Sequence, residues 1–160
     1  METQINSSRS RIKLCIWIII IGLFISGITA FPIETQLAFF VKRQADSSSV
    51  LSEWLNKVYV AVRETNTRYP FISYGTDWLA FAHILLAILF VGPLMDPVRN
   101  IWVVQFGIIA AVLIFPLAFV AGSIRGIPFF WQCIDCSFGA ITLAILLPCH
   151  KWIKQMEASA

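Results

Sequence analysis

The chain has 160 residues, of which 58% are hydrophobic and only 13% are charged. A soluble domain of this length carries roughly 25% charged residues, so this composition excludes an ordinary soluble protein and indicates an integral membrane protein. The formal net charge of +3 is spread along the chain without a dense Lys/Arg block. We therefore expect no nucleic-acid partner.

Four apolar runs are each close to the roughly 20 residues that a membrane-spanning helix needs. They predict transmembrane helices at about residues 14–31, 77–94, 101–122 and 130–148. Four spans and their loops use up the length, so we predict a single membrane domain over residues 1–160. The predicted fold class is all-α: a bundle of four transmembrane helices.

The first apolar run follows three basic residues and is closed by Pro32. A cleaved signal peptide is the alternative to a retained anchor, but signal sequences have apolar cores of about 7 to 15 residues and small side chains before the cut. This run is longer, and the bulky Ile28 occupies one of those small-residue positions, so we predict an anchor. Gly22, Ser26 and Ala30 recur every four residues and predict a stripe for close helix packing.

Residues 33–74 are amphipathic and too charged to span the membrane. The pattern predicts one helix over Ile33 to Lys42 and a second over Val50 to Arg68, with Ser49 as the N-terminal cap and Pro70 as the stop. A serine-rich hinge, Asp46 to Ser49, joins them. We expect both helices to lie along the membrane surface or to cap the bundle.

The second half of the chain contains two short turns and a proline inside an apolar run. Asp96-Pro97 predicts a tight turn between the second and third spans, with Asn100 capping the third. Pro116 predicts a kink in the third span. Two small-residue notches are expected on that helix, at Gly107/Ala111 and Ala118/Gly122.

Four spans place both termini on the same side of the membrane. The counts of Lys and Arg on the two sides are equal, but the terminal-side charges lie next to the span ends, where they determine orientation. The opposite ones are spread through a long, partly acidic segment. We therefore predict cytoplasmic termini, from the terminal-side residues Arg9, Arg11, Lys13, Arg99, Lys151 and Lys154.

Several phrases of the sequence resemble a family of small, uncharacterised bacterial integral membrane proteins with four spans. The resemblance covers nearly the whole chain and implies a bacterial inner-membrane location, but it implies no activity. The Asp135-Cys136 pair is typical of that family, whereas a cysteine at the place of Cys133 is not. The phrases are Thr29 to Pro32, Phe71 to His83, Gly92 to Asn100, Arg125 to Phe129 and Ile134 to Gly139.

Four ionisable residues form a candidate polar cluster at the outer face of the bundle: Asp77, His83, Arg125 and Asp135. Asp77 and Asp135 are predicted within the first turn of their spans, with Arg125 in the adjoining loop. The alternative is that the two acids only complement the helix dipole and contact headgroup water. His83 lies about 9 Å deeper than Asp77 and about 120° around the helix, so the geometry favours a histidine bonded to a carbonyl or hydroxyl over a direct dyad.

Cys133 and Cys136 are a low-specificity candidate for a redox pair at the start of the fourth span. Their placement resembles vitamin K epoxide reductase and predicts, as an alternative function, a quinone-coupled thiol-disulfide oxidoreductase. Asp135 opposes thiolate formation, and residues 32–76 lack the relay cysteines of those enzymes. Cys15 and Cys149 lie near opposite ends of the apolar sequence.

The sequence predicts no cofactor and no metal. Haem would need a second histidine at matching depth, whereas His83 and His150 fall at opposite membrane faces, and zinc would lack a fourth ligand. We favour a non-enzymatic multi-pass membrane protein, with a small transporter or an accessory subunit of a membrane complex as a further alternative. The expected partners are the lipid bilayer and either another membrane protein or a second copy of the chain.

Overall fold

The computed structural model describes residues 2–44 and 49–159, with side chains from residue 8 onward. Within these ranges the chain is helical and contains no strand, which confirms the all-α prediction. The helices are α1 (Glu2–Ala30), α2 (Ile33–Arg43), α3 (Val50–Arg68), α4 (Pro70–Leu89), α5 (Val91–Met95), α6 (Ile101–Pro116), α7 (Gly122–Ile124) and α8 (Phe129–Glu157), with a π-helical turn at Leu117–Ala121 between α6 and α7.

Four helical stretches are long and apolar enough to cross a membrane, as predicted. Their many exposed apolar side chains suit contact with lipid. The stretches are Ser8–Ala30, Pro70–Met95, Ile101–Ile124 and Phe129–Glu157.

The helix ends differ from the predicted span ends in three places. Helix α1 begins at Glu2 instead of residue 14, and α4 begins at Pro70 instead of Asp77. Helix α8 continues through Pro148 to Glu157. A helix can extend beyond the apolar core of the bilayer, proline suits the first helical position, and neighbouring helices make an internal proline tolerable in a membrane helix.

The amphipathic helices were predicted accurately. Helix α3 begins after Ser49, whose side chain accepts a hydrogen bond from the Ser52 backbone N–H, and the Ser52 hydroxyl in turn accepts from the Ser49 N–H. This reciprocal capping box replaces two missing helical bonds. The helix ends at Arg68, as predicted. Residues 45–48 of the predicted hinge lie outside the described residues.

The chain divides into two compact units, and the single-domain prediction stays a prediction. The first unit comprises Met1–Ile21 and Ala87–Ala160, and the second comprises Gly22–Leu86.

In the first unit, α6 packs closely against α8 at small residues. A Cβ atom added to Gly107 would lie 2.7 Å from Leu146, and one added to Gly139 would lie 2.8 Å from the carbonyl oxygen of Ala111. The predicted notch at Gly107/Ala111 therefore receives the fourth span, and Gly122 likewise packs against Gln132. Near the chain ends, Arg11 of α1 lies over the ring of Trp152 in α8.

The turn between the second and third spans corrects one predicted role. Asn100 occupies the position before α6, but its side chain makes no cap for that helix. Its Nδ2 donates instead to the carbonyl oxygens of Gly92 and Asp96. Both carbonyls also accept a backbone N–H, from Asp96 and Asn100 respectively, so the side chain adds a second hydrogen bond to each. A kink was predicted at Pro116. The structure has a π-helical turn directly after this proline.

In the second unit, α1 and α4 cross at Gly27, and not at the predicted stripe of Gly22, Ser26 and Ala30. A Cβ on Gly27 would lie 2.8 Å from the carbonyl oxygen of Ala80, whereas one on Gly22 would have nothing within 4 Å. Helix α1 is apolar all round, so residue spacing alone does not reveal which side packs. Helices α2 and α3 pack together, with Leu37 buried.

Candidate functional site

A polar crevice of about 230 Å³ opens in the second unit, where three helix ends meet. Its volume is enough for several water molecules, each of which occupies about 30 Å³, or for one small ligand. Its lining combines aliphatic and aromatic residues with hydroxyl, amide and carboxylate groups. The lining residues are Phe31, Pro32, Ile33, Glu34, Thr35, Asn66, Ser73, Thr76 and Asp77.

Each polar side chain reaches the crevice from a defined place on a helix. Glu34 lies in the first turn of α2, which begins directly after Pro32, and Asn66 lies in the last turn of α3. Ser73, Thr76 and Asp77 follow one another at the i, i+3, i+4 spacing in α4, so they share one face of that helix.

Three of these residues form a hydrogen-bonded chain across three helices. The Ser73 hydroxyl donates to the Asn66 side-chain oxygen, and the Asn66 amide nitrogen donates to the Glu34 carboxylate. Both bonds are partly buried. The two bonds use the Ser73 hydroxyl proton and one Asn66 amide proton. One carboxylate oxygen of Glu34 takes no part in them.

Asp77 is half-buried and accepts no hydrogen bond and forms no ion pair within residues 8–44 and 49–159. With Glu34 it gives the crevice two formal negative charges, and no Lys, Arg or His side chain lines the crevice. A partly desolvated carboxylate without a partner is costly, and a cation or a hydrogen-bond donor would relieve that cost. The crevice is therefore suited to a positively charged ligand.

The chain matches no family model, no curated protein and no solved structure. The chemistry of the crevice therefore rests on its own side chains. Two carboxylates and three hydroxyls provide hard oxygen ligands of the kind that bind cations. In the described part of the chain, no group of three or more His, Cys, Asp or Glu side chains is arranged to hold a metal ion.

The predicted polar cluster falls in two units. Asp77 belongs to the second unit, and Arg125 and Asp135 belong to the first, so their association stays a prediction. Asp77 and Asp135 are not in the first helical turn, because α4 begins at Pro70 and α8 at Phe129. Arg125 is exposed, and neither it nor Asp135 takes part in an ion pair among the described side chains.

His83 does not line the crevice. Its Nδ1 lies 2.8 Å from the Leu79 carbonyl oxygen, one turn earlier in α4, where a protonated Nδ1 donates. A Cβ on Gly27 would lie 3.3 Å from the His83 Cβ, so the histidine stands at the crossing of α1 and α4. This agrees with the interpretation of a histidine bonded to a backbone carbonyl, and it leaves His83 with a packing role.

Two cysteines that are far apart in the sequence lie near each other in the structure. All four are free thiols; Cys133 is exposed and Cys136 is buried. Within the first unit, the thiols of Cys15 and Cys149 lie near each other. Sequence reasoning separated these two because they lie at the ends of the chain, but antiparallel first and last helices bring those ends together.

Sequence reasoning also missed Glu34, Asn66 and Ser73 as site residues. Glu34 and Asn66 fall within the predicted amphipathic helices, where exposed polar groups need no explanation. One signal was present: Ser73, Thr76 and Asp77 form a continuous polar face at the start of an otherwise apolar helix. Asn66 lies seven residues before Ser73 but in another helix, and Glu34 lies 32 residues before Asn66, so helical periodicity reveals neither partner.

Proposed function

We propose that this chain is a non-enzymatic, multi-pass protein of the bacterial inner membrane whose polar crevice binds a small cation. The observation that carries the proposal is the half-buried Asp77 carboxylate, which faces the same cavity as Glu34 and has no partner among the described residues. Binding is favoured over catalysis because the crevice is lined by no histidine, cysteine or lysine that would serve as nucleophile or general base near neutral pH.

A membrane protein with such a site would act as a small transporter or as an accessory subunit of a membrane complex. Asp77 lies inside the helix that spans Pro70–Met95, so a bound cation would sit where the surface helices meet a transmembrane helix. Ionisable groups within membrane helices mark ion and substrate routes when they line a water-filled cavity. The crevice, at about 230 Å³, has room for water.

Cytoplasmic termini are part of the proposal. The stacking of Arg11 on Trp152 supports a common side for the two ends of the chain, because these residues lie near the beginning of the first span and near the end of the last. Basic residues next to span ends favour the cytoplasmic side. The crevice then faces away from the cytoplasm, on the side where α1 ends and α4 begins.

Cation binding is tested with Tb³⁺, whose luminescence is excited by a nearby indole such as Trp78, next to Asp77. We expect the purified full-length protein to give a saturable signal. Asp77→Asn and Glu34→Gln should each weaken the signal at least tenfold, because each removes one of the two charges. Asp96→Asn is the matched control, since Asp96 lies in the turn before α6 and outside the crevice. Equal titrations for D77N and D96N would refute the assignment.

The topology is tested by fusing a reporter after Ala160. We expect activity from a reporter that works only in the cytoplasm, and silence from one that works only outside. A second fusion within residues 45–48 should give the opposite result, since one span separates it from the N-terminus. An external reading at Ala160 would reverse the side assigned to the crevice without changing its chemistry.

A further inference from the structure

The end of the first unit that carries both chain termini is strongly basic. Six Lys and Arg residues flank the spans there, at positions 9, 11, 13, 99, 151 and 154. Only Lys154 has a carboxylate partner among the described side chains, namely Glu157 at 2.8 Å. We call the remaining group, Arg9, Arg11, Lys13, Arg99 and Lys151, the basic rim. Its members are all exposed.

Span boundaries place the basic rim at headgroup depth. Arg9, Arg11 and Lys13 directly precede the apolar run that begins at Leu14, and Lys151 follows Pro148 at the end of the last apolar run. Anionic lipids attract basic residues at this depth, and basic pockets between transmembrane helices bind their headgroups. The depth of these residues follows from the spans themselves and does not depend on the orientation of the surface helices.

One contact within the basic rim joins two helices. The guanidinium carbon of Arg11, in α1, lies 5.7 Å from the ring centroid of Trp152, in α8. Ile12 and Ile16 of α1 and Ile153 of α8, which lie close in sequence to the two residues of this contact, are completely buried. A guanidinium has several N–H donors in one plane, and this fork matches the geometry of a phosphate group.

We propose that the basic rim binds the headgroup of an anionic phospholipid, with the phosphate on Arg11 and Lys151 and the acyl chains along the lipid-facing sides of α1 and α8. Charge complementarity carries the choice of partner. All five members of the basic rim lack a carboxylate partner among the described side chains, and Asp96 is the one acid of the neighbouring turn, where its Oδ1 accepts from the Arg99 N–H. An apolar binding surface for acyl chains is available on both helices, where Leu14, Trp17 and Leu147 are exposed.

The test uses full-length protein in nanodiscs that contain equal amounts of phosphatidylglycerol and phosphatidylcholine. The lipids that remain bound after gentle release are counted by native mass spectrometry. We expect the wild-type protein to retain phosphatidylglycerol preferentially. Each basic residue near a membrane surface changes anionic-lipid affinity about fivefold, so Arg11→Gln with Lys151→Gln should reduce the preference about 25-fold. Folding is checked by helicity and by elution as a single species.

A charge-matched control separates a defined site from general attraction. Lys57→Gln with Arg63→Gln removes two exposed charges from α3, in the second unit, and should leave the preference unchanged. Equal losses in the two double variants, or no preference in the wild-type protein, would overturn the proposal. Displacement of the retained phosphatidylglycerol by millimolar inorganic phosphate would also overturn it, because the ligand would then be a free anion. The outcome is independent of the Tb³⁺ titration, which concerns the other unit.

Discussion

The packing of α6 against α8 predicts a large penalty for one methyl group at Gly139. In Gly139→Ala, the new Cβ would lie 2.8 Å from the carbonyl oxygen of Ala111 and 3.2 Å from the Phe115 ring, whereas ordinary contacts begin at 3.4 Å. Because the nearest atom belongs to a helix backbone, no side-chain rotation relieves the overlap. Helix α8 must move by about 0.6 Å, and overpacking of this kind costs about 1–3 kcal/mol.

Gly22→Ala is the matched control for this substitution. Both glycines lie inside long helices, so both variants gain helix propensity of up to about 1 kcal/mol, but a Cβ on Gly22 meets nothing within 4 Å. The difference between the two variants therefore isolates the contact with Ala111. We expect G139A to be less stable than G22A by about 1–3 kcal/mol, which corresponds to a factor of about 5 to 150 in the unfolding equilibrium.

The assay is equilibrium unfolding of the reconstituted protein by titration with sodium dodecyl sulfate, followed by tryptophan fluorescence and helicity. The two variants and the wild-type protein are compared at the same lipid and detergent ratio. Equal stability of the two variants, with neither less stable than the wild-type protein, would refute the close approach of α8 to the backbone of α6. A loss in G22A as large as that in G139A would show that Gly22, and not only Gly27, is a packing position of α1.

Three further outcomes follow from the structure. Asn66→Ala removes the centre of the hydrogen-bonded chain and should lower the free energy of unfolding by about 1 kcal/mol, whereas Asn56→Ala, at an exposed position of the same helix, should change it little. Ser49→Ala removes the capping box, so it should raise the rate of amide hydrogen exchange in the first turn of α3 and lower the free energy of unfolding by about 1 kcal/mol. Ser49→Asp should restore the protection. Equal exchange rates in the two variants would contradict the cap. N-ethylmaleimide should modify the exposed Cys133 in the folded protein and spare the buried Cys136 until unfolding, and equal rates at the two thiols would contradict their burial.

Local signals predicted the surface helices well. The bounds of α3 follow from Ser49 and Pro70, which act through hydrogen bonding and backbone geometry within a few residues. The ends of the transmembrane helices were less predictable, because hydropathy marks the apolar core while helix continues beyond it. The start of α4 at Pro70 illustrates this, since residues 70–76 are helical without being strongly apolar.

Tertiary relations were the harder part. Asp77 was singled out as an acid entering an apolar helix, but the residues beside it in the crevice, Glu34 and Asn66, come from two other helices, and their approach depends on how the α2–α3 pair folds back. The predicted packing stripe of α1 was wrong for a similar reason: a helix that is apolar on every side gives no periodic signal for its contact face. The pairing of Cys15 with Cys149 likewise required knowledge of which helices are neighbours.

The single amide of Asn66 touches both Ser73, on the apolar helix α4, and Glu34, on the amphipathic helix α2. A displacement of α2 would therefore pull on α4 through two short polar links instead of being absorbed by loose apolar contacts. Asn66 therefore couples the positions of α2 and α4 at the crevice. We therefore expect a ligand in the crevice, or a partner bound to α2 and α3, to change the orientation of α4.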